Sequence, residues 1–239
     1  MLKLLSRQFA FLAVFFVAAL AAGCDGSSFD NETISKQPKV SEITSFPISL
    51  DAQCRGGEQE LYDECSDQLR LFEDALVEAR RQNKTLLVSF GAEWCIWCHV
   101  FEKYIKGQAG KFTYTFGEPG SPRSDTETLF ERRDEATAIK QAEELNNYFA
   151  ANFVLVHIDA EYAPQGWDVL EQMNASSYFD NWLPFIFATD DKGMFVAQLP
   201  HGPIEERRDG IFDWYRGYDR PLMLEKLRNM RMQASSNTE

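Results

Sequence analysis

The chain has 239 residues, with 37 Asp and Glu against 24 Lys and Arg, for a formal charge of −13. That balance argues against nucleic acid and against an anionic membrane surface as partners. Once the N-terminal segment is set aside, about 185 residues remain, enough for one domain with a substantial core.

Residues 1–23 carry Lys3 and Arg7 and then an apolar run from Phe9 to Ala22. The run is too short for a lasting bilayer span and has the charged-then-apolar build of a secretory signal. Ala21-Ala22-Gly23-Cys24 resembles the bacterial lipobox, with Leu20 one place earlier than the usual leucine. Lipidation of Cys24 is therefore expected; the plainer alternative is ordinary cleavage that leaves an unpaired exported thiol. Asp25 resembles the signal that holds some lipoproteins at the inner membrane. The expected location is thus exported, on the periplasmic side, anchored to the inner membrane through Cys24. Residues 24–50 are rich in Ser, Asp, Glu and Thr and read as a flexible tether, leaving 51–239 as the folded domain.

Ser66-Asp67 opens a helix over Gln68 to Arg80, with Leu69, Phe72, Leu76 and Ala79 on one face and Asn83-Lys84 at its end. Thr85 to Phe90 reads as a short buried strand. It leads into Glu93-Trp-Cys-Ile-Trp-Cys-His99, and His99 to Ile105 again has helical spacing, so Cys95 falls at a helix start. Lys106 to about Ser124 reads as a loop and Thr126 to Ala151 as a helix, with Leu129, Ala136, Ile139, Ala142, Leu145 and Phe149 as its buried positions. Phe153 to Ile158 is a second buried strand, and Trp167 to Met173 a short helix. Leu183 to Ala188 is a strand opened by Pro184, joined by the turn Asp190 to Gly193 to an antiparallel partner, Met194 to Leu199. Phe212, Trp214, Tyr215 and Tyr218 mark a further insertion, read as core or rim packing or an extension of a substrate groove, before a last helix from Pro221 to Met230.

Two cysteines separated by two residues can cycle between dithiol and disulfide, hold a metal, or, with His99 following, tether a haem. The order of elements, the stretch Ala92 to Lys103 (AEWCIWCHVFEK) and the stretch Trp182 to Gly193 (WLPFIFATDDKG) resemble the thioredoxin-like family from about Ser66 to Met230. The resemblance implies an α/β thioredoxin-like fold, a central mixed sheet flanked by helices, with an insertion at about 106–142 between the active-site helix and the proline strand. It also implies that Pro184 is cis and that its loop, with Leu183, faces the cysteines to bind substrate chain. Thioredoxin keeps a buried Asp on the strand before the motif; the matching position here is Ser89, a hydroxyl that cannot take a proton near neutral pH. The base would then be absent, or be Glu93, His99 or water.

The activity implied is thiol:disulfide exchange with protein substrates and no cofactor. Cys95 is the expected nucleophile, its thiolate favoured by the helix N-terminus, and Cys98 the resolving thiol one turn on. Trp94 and Trp97 would flank the pair as apolar substrate-binding surface, although Trp94 could equally be a packing residue. Glu93 and His99 are candidates for tuning the thiols, with a solvent-facing polar residue as the plainer reading of His99. Cys54 and Cys65 are expected to form a structural disulfide in an oxidising compartment, with a second redox pair as the alternative. Reductase, oxidase and isomerase share these parts, and an exported reductase would draw its electrons from a membrane partner. The rivals are haem attachment through Cys95, Cys98 and His99, copper or zinc on the same three residues, and a non-catalytic binding module. His157 and His201 fall on a strand and a loop and do not obviously converge on a metal site.

Overall fold

The computed structural model describes residues 38–236 apart from 58, 109, 117–123, 130–134 and 211–212. The expected signal segment, Cys24 and the first part of the tether lie outside the described residues. Among the described residues two sheets form.

The first sheet has the order β1-β5-β2-β6-β7. Its strands are β1 (Thr44–Phe46), β2 (Thr85–Gly91), β5 (Phe153–Asp159), β6 (Phe185–Thr189) and β7 (Phe195–Gln198). β1 and β2 pair parallel with β5, whereas β6 runs antiparallel to β2 and β7 antiparallel to β6. Every residue of β2 and β5 is buried, as expected for central strands covered on both faces.

The two-residue alternation of a strand divides these residues between two cores. Leu86, Val88 and Phe90 of β2, with Val154, Val156 and Ile158 of β5, pack with helix α1 (Gln68–Arg81) and helix α4 (Gly166–Gln172). Leu87 and Leu155 face the other way, onto α2 (Ile96–Ile105), α3 (Glu135–Asn152) and α5 (Arg220–Ser236). Ser89 and His157 have the same parity as Leu87 and Leu155, and they are register partners. The strand period therefore aims a hydroxyl and an imidazole at the helix that carries the cysteines.

Helix α1 starts where expected: the Asp67 side chain accepts from the Arg70 N–H at 3.1 Å. It ends as Asn83 turns to φ 53°, the left-handed geometry that Asn tolerates.

Three expectations are corrected here. The tether does not reach residue 50, because Thr44–Phe46 is an edge strand of the sheet with Phe46 buried. Asn146 of α3 holds the chain just before it, accepting from the Ser41 N–H at 2.6 Å and donating to the Ser41 carbonyl at 3.1 Å. Three residues in a polar stretch carry too little periodicity to reveal a strand whose partner lies more than a hundred positions away.

The second correction concerns the expected loop from Lys106 and the first turn of the expected helix from Thr126. Both contain strand, β3 (Lys111–Phe116) and β4 (Ser124–Leu129), paired antiparallel. α3 spans Glu135–Asn152, with Ala136 exposed and Ala138, Ala142, Leu145 and Phe149 buried. Thr126 and Thr128 suit either state by propensity, and the pairing decides.

Third, the two expected insertions are one structure. β8 (Glu205–Gly210) and β9 (Asp213–Tyr218) form a hairpin, and Leu129 of β4 pairs with Tyr215 of β9, giving a second sheet of order β3-β4-β9-β8. Tyr215 and Tyr218 are buried, Trp214 lies under the Arg216 guanidinium, and Phe212 lies outside the described residues.

Candidate active site

The chain leaves β2 at Gly91, turns through Ala92 to Trp94, and enters α2 with Cys95 as its N-cap. The Cys95 sulfur accepts from the Cys98 backbone N–H at 3.3 Å. Both thiols are free and buried. The Leu183–Pro184 peptide is cis, and Leu183 packs with Leu61 and Trp97 against a cluster of Cys95, Cys98 and Tyr62. The proline loop thus meets the cysteines, as the resemblance implies.

Trp94 is 46% exposed beside the nucleophile position and its indole N–H donates to Glu161. Trp97 is half-buried and leans on Tyr218, ring centroids 5.4 Å apart. Trp182, just before the proline, is exposed and lies over the ring of His201.

Tyr62 was not legible as a site residue. It is fully buried in one cluster with Cys95 and Cys98, with its hydroxyl 3.2 Å from the Ser89 Oγ. It arrives on a strap whose ends are joined by the Cys54–Cys65 disulfide, so the expected pairing is present. The Glu93 carboxylate accepts from the Leu61 and Tyr62 N–H groups, each at 3.0 Å. His99, expected to face solvent, is instead buried, its Nε2 2.7 Å from the Glu93 carbonyl oxygen and 3.4 Å from its carboxylate. Outside, Arg55 pairs with Glu64 at 2.8 Å and lies over the Tyr162 ring. Of the two tuning candidates, Glu93 thus seats the strap, and His99 lies against Glu93. The one hint in the sequence was Ser89, too small to fill the space an acid occupies.

Gly91 shows how closely Tyr62 and Cys98 meet. A side-chain carbon built there would collide with the Tyr62 hydroxyl and lie 2.6 Å from the Cys98 sulfur. Behind them the Tyr62 ring meets His157 edge-on at 5.2 Å. The His157 Nε2 lies 3.3 Å from a Glu102 carboxylate oxygen without hydrogen-bond geometry, and the other Glu102 oxygen pairs with Lys106 at 2.6 Å.

The electrostatics of the pair differ from the expectation. Burial pushes the Cys95 thiol well above its ordinary range and the neighbouring Cys98 sulfur adds to the rise. The backbone N–H groups of Cys98 and Trp97 pull the other way and do not prevail. The helix start supplies the donors the sequence promised, but desolvation of the anion outweighs them. Burial likewise raises the Tyr62 phenol, and the neighbouring Cys98 and Cys95 sulfurs raise it further. Burial would also raise the Glu102 carboxyl, yet His157 and Lys106 outweigh it and hold that group down at about 2.

The metal and haem readings need His99 beside the cysteines as a free ligand, and its Nε2 is engaged at the Glu93 carbonyl. His157 faces Glu102, and His201 pairs with Asp180 at 2.5 Å on the surface. Among the described residues no group of three or more His, Cys, Asp or Glu is placed to hold a metal ion.

A dithiol at a helix start after a central parallel strand, met by a cis-proline loop that opens an antiparallel strand, is the arrangement of a thioredoxin-like fold. The family model described as thioredoxin-like matches residues 67–105, from the cap of α1 to the end of α2. Among solved structures the chain is similar to the disulphide isomerase from Xylella fastidiosa Temecula1, with 18% identity over 58% of this chain and 79% of that one and a TM-score of 0.37. No curated protein matches the chain.

Proposed function

We propose that this protein is a thiol:disulfide oxidoreductase that exchanges disulfides with protein substrates through Cys95 and Cys98. The observation that carries this reading is the free Cys95 sulfur at the N-cap of α2, with Cys98 one turn behind it and the cis-proline loop packed against both. Once deprotonated, the Cys95 sulfur attacks one sulfur of a substrate disulfide, and the Cys98 and Trp97 N–H groups receive its charge. The substrate S–S bond breaks, a mixed disulfide forms on Cys95, and the released sulfur takes up a proton. Cys98 then attacks the Cys95 sulfur, closing the protein disulfide and releasing the second substrate thiol. Trp94 and Trp182 offer apolar surface on either side for a polypeptide, and Leu183 and Pro184 a place for its backbone.

The protein acts, on this reading, outside the cytoplasm, held at the inner membrane by a lipid on Cys24 and exchanging electrons with a membrane partner. The lipobox-like Ala21 to Cys24 supports the anchor, and a disulfide at Cys54–Cys65 suits an oxidising compartment. The test is equilibration of the purified protein with glutathione and turnover of a disulfide-bonded polypeptide such as insulin, beside a Cys95→Ser variant. Turnover lost in Cys95→Ser is the expected result; equal turnover in both proteins refutes the assignment. Labelling with radioactive palmitate, abolished by Cys24→Ala, tests the anchor.

A further inference from the structure

The resolving step needs a thiolate at Cys98, a sulfur with no solvent exposure and, on the adjoining strand, Ser89 in place of an acid. We propose that Tyr62 is a catalytic residue of the exchange, its hydroxyl donating a hydrogen bond to the Cys98 sulfur as that sulfur becomes an anion. This rests on the dithiol reading above and deepens it.

Geometry supplies the argument. The Tyr62 hydroxyl and the Cys98 sulfur both crowd the point where a side-chain carbon on Gly91 would lie, the sulfur at 2.6 Å, Tyr62 and Cys98 pack in one buried cluster, and the hydroxyl lies 3.2 Å from the Ser89 Oγ. A serine hydroxyl can donate to the phenol oxygen and leave the phenol proton free for the sulfur, so the three groups form a directed chain from Ser89 through Tyr62 to Cys98. A hydrogen bond to the charged form favours that form, and in a dry site such a bond counts for more than in water. Burial keeps the phenol protonated, which fits it as a donor and excludes it as a base.

In the resolving step, Cys98 gives up its proton and its electron pair attacks the Cys95 sulfur. The bond from Cys95 to the substrate sulfur breaks, the Cys95–Cys98 bond forms, and the substrate sulfur leaves with the electron pair and accepts the proton. Over both steps two electrons pass from the dithiol to the substrate, and Tyr62 ends with the proton it began with. Tyr62 is available only because the strap is seated: by the Cys54–Cys65 disulfide at its ends and by Glu93 under Leu61 and Tyr62.

The titratable groups facing the Cys98 sulfur are Cys95 at the N-cap of α2, Tyr62 of the strap and Tyr218 of β9, with His157 of β5 behind the Tyr62 ring and Glu102 of α2 behind His157. Tyr62→Phe changes the hydroxyl alone and keeps the buried ring. In a Cys95→Ser background, the thiolate of Cys98 is followed by its rate of alkylation against pH. Tyr62→Phe is expected to move that profile upward by about one pH unit, about tenfold in rate at a fixed pH. In the protein with both cysteines, the mixed disulfide of Cys95 with glutathione should form at an unchanged rate and resolve about tenfold more slowly. Superimposable alkylation profiles and equal resolving rates would overturn the proposal. Ser89→Ala is a second variant, expected to shift both readouts the same way by a smaller factor, and no shift in it counts against the chain of hydroxyls. If the native protein fails to exchange with glutathione, the oxidoreductase reading falls, while the Cys98 profile still decides what Tyr62 does to that sulfur.

Discussion

Lowering the pH should remove a measurable share of the stability through one buried acid, Glu102. Its carboxyl is 4% exposed, lies 3.3 Å from His157 and 2.6 Å from Lys106, and is held at about 2 against an ordinary 4.5. At about 1.4 kcal/mol per pKa unit, that difference corresponds to about 3 kcal/mol. The folded value lies below the unfolded one, so this stabilisation is fully present above about pH 4.5 and is lost as the pH falls through about 2. Urea unfolding followed by tryptophan fluorescence, at a series of pH values from about 6 to about 2, measures it. Glu102→Gln cannot titrate, so the stability gap between native protein and variant should be largest at the upper end and close as the pH drops. Glu78, also held at about 2 by hydrogen bonds from Arg81 and Gln82, titrates in the same window in both proteins and cancels in the difference. A gap that stays constant across the series would refute the assignment of the low carboxyl to Glu102.

Other outcomes follow from the same contacts. Replacing Cys54 and Cys65 together with Ser opens a loop with a sequence separation of 11 and should cost about 3 kcal/mol by loop-closure entropy, read as a lower urea midpoint. Gly91→Ala places a carbon against the Tyr62 hydroxyl and 2.6 Å from the Cys98 sulfur, so it should cost about 1–3 kcal/mol and slow exchange. A Gly91→Ala protein as stable and active as the native one would contradict the packing described. Burial raises the Cys95 thiol, so its alkylation rate should still be climbing at pH values where an ordinary thiol, with a pKa of about 8.5, has levelled off. A plateau below neutral pH would show that the helix start outweighs burial.

The parts of this molecule that repeat locally could be read from the residues alone. The apolar runs of β2 and β5, the Asp67 cap and the proline ahead of β6 each announce themselves within a few positions. The Cys54–Cys65 disulfide joins two cysteines near each other in sequence, a pairing the residues suggested beside the alternative of a second redox pair. The elements missed depend on distant partners. β1 is a strand because Val154 to Val156 lie beside it, and β4 because β3 folds back on it and Tyr215 meets its end. At the site, the dithiol and the proline loop were legible as a pattern, whereas Tyr62 was not: a tyrosine inside a disulfide loop gives no sign of which surface it will enter. The direction of the Cys95 shift was missed for a related reason. A helix start is a local feature, but the dryness of the sulfur is set by Tyr62, Leu61, Trp97 and Leu183, drawn from three separate segments.

The second sheet joins two stretches of chain that stand far apart in sequence, through the partnership, among the described residues, of Leu129 with Tyr215. Neither half is independent: excising the β3–β4 hairpin would bare the edge of β9, and excising β8–β9 would bare β4, each inviting association with other molecules. An engineer trimming this scaffold would have to remove both hairpins together or neither.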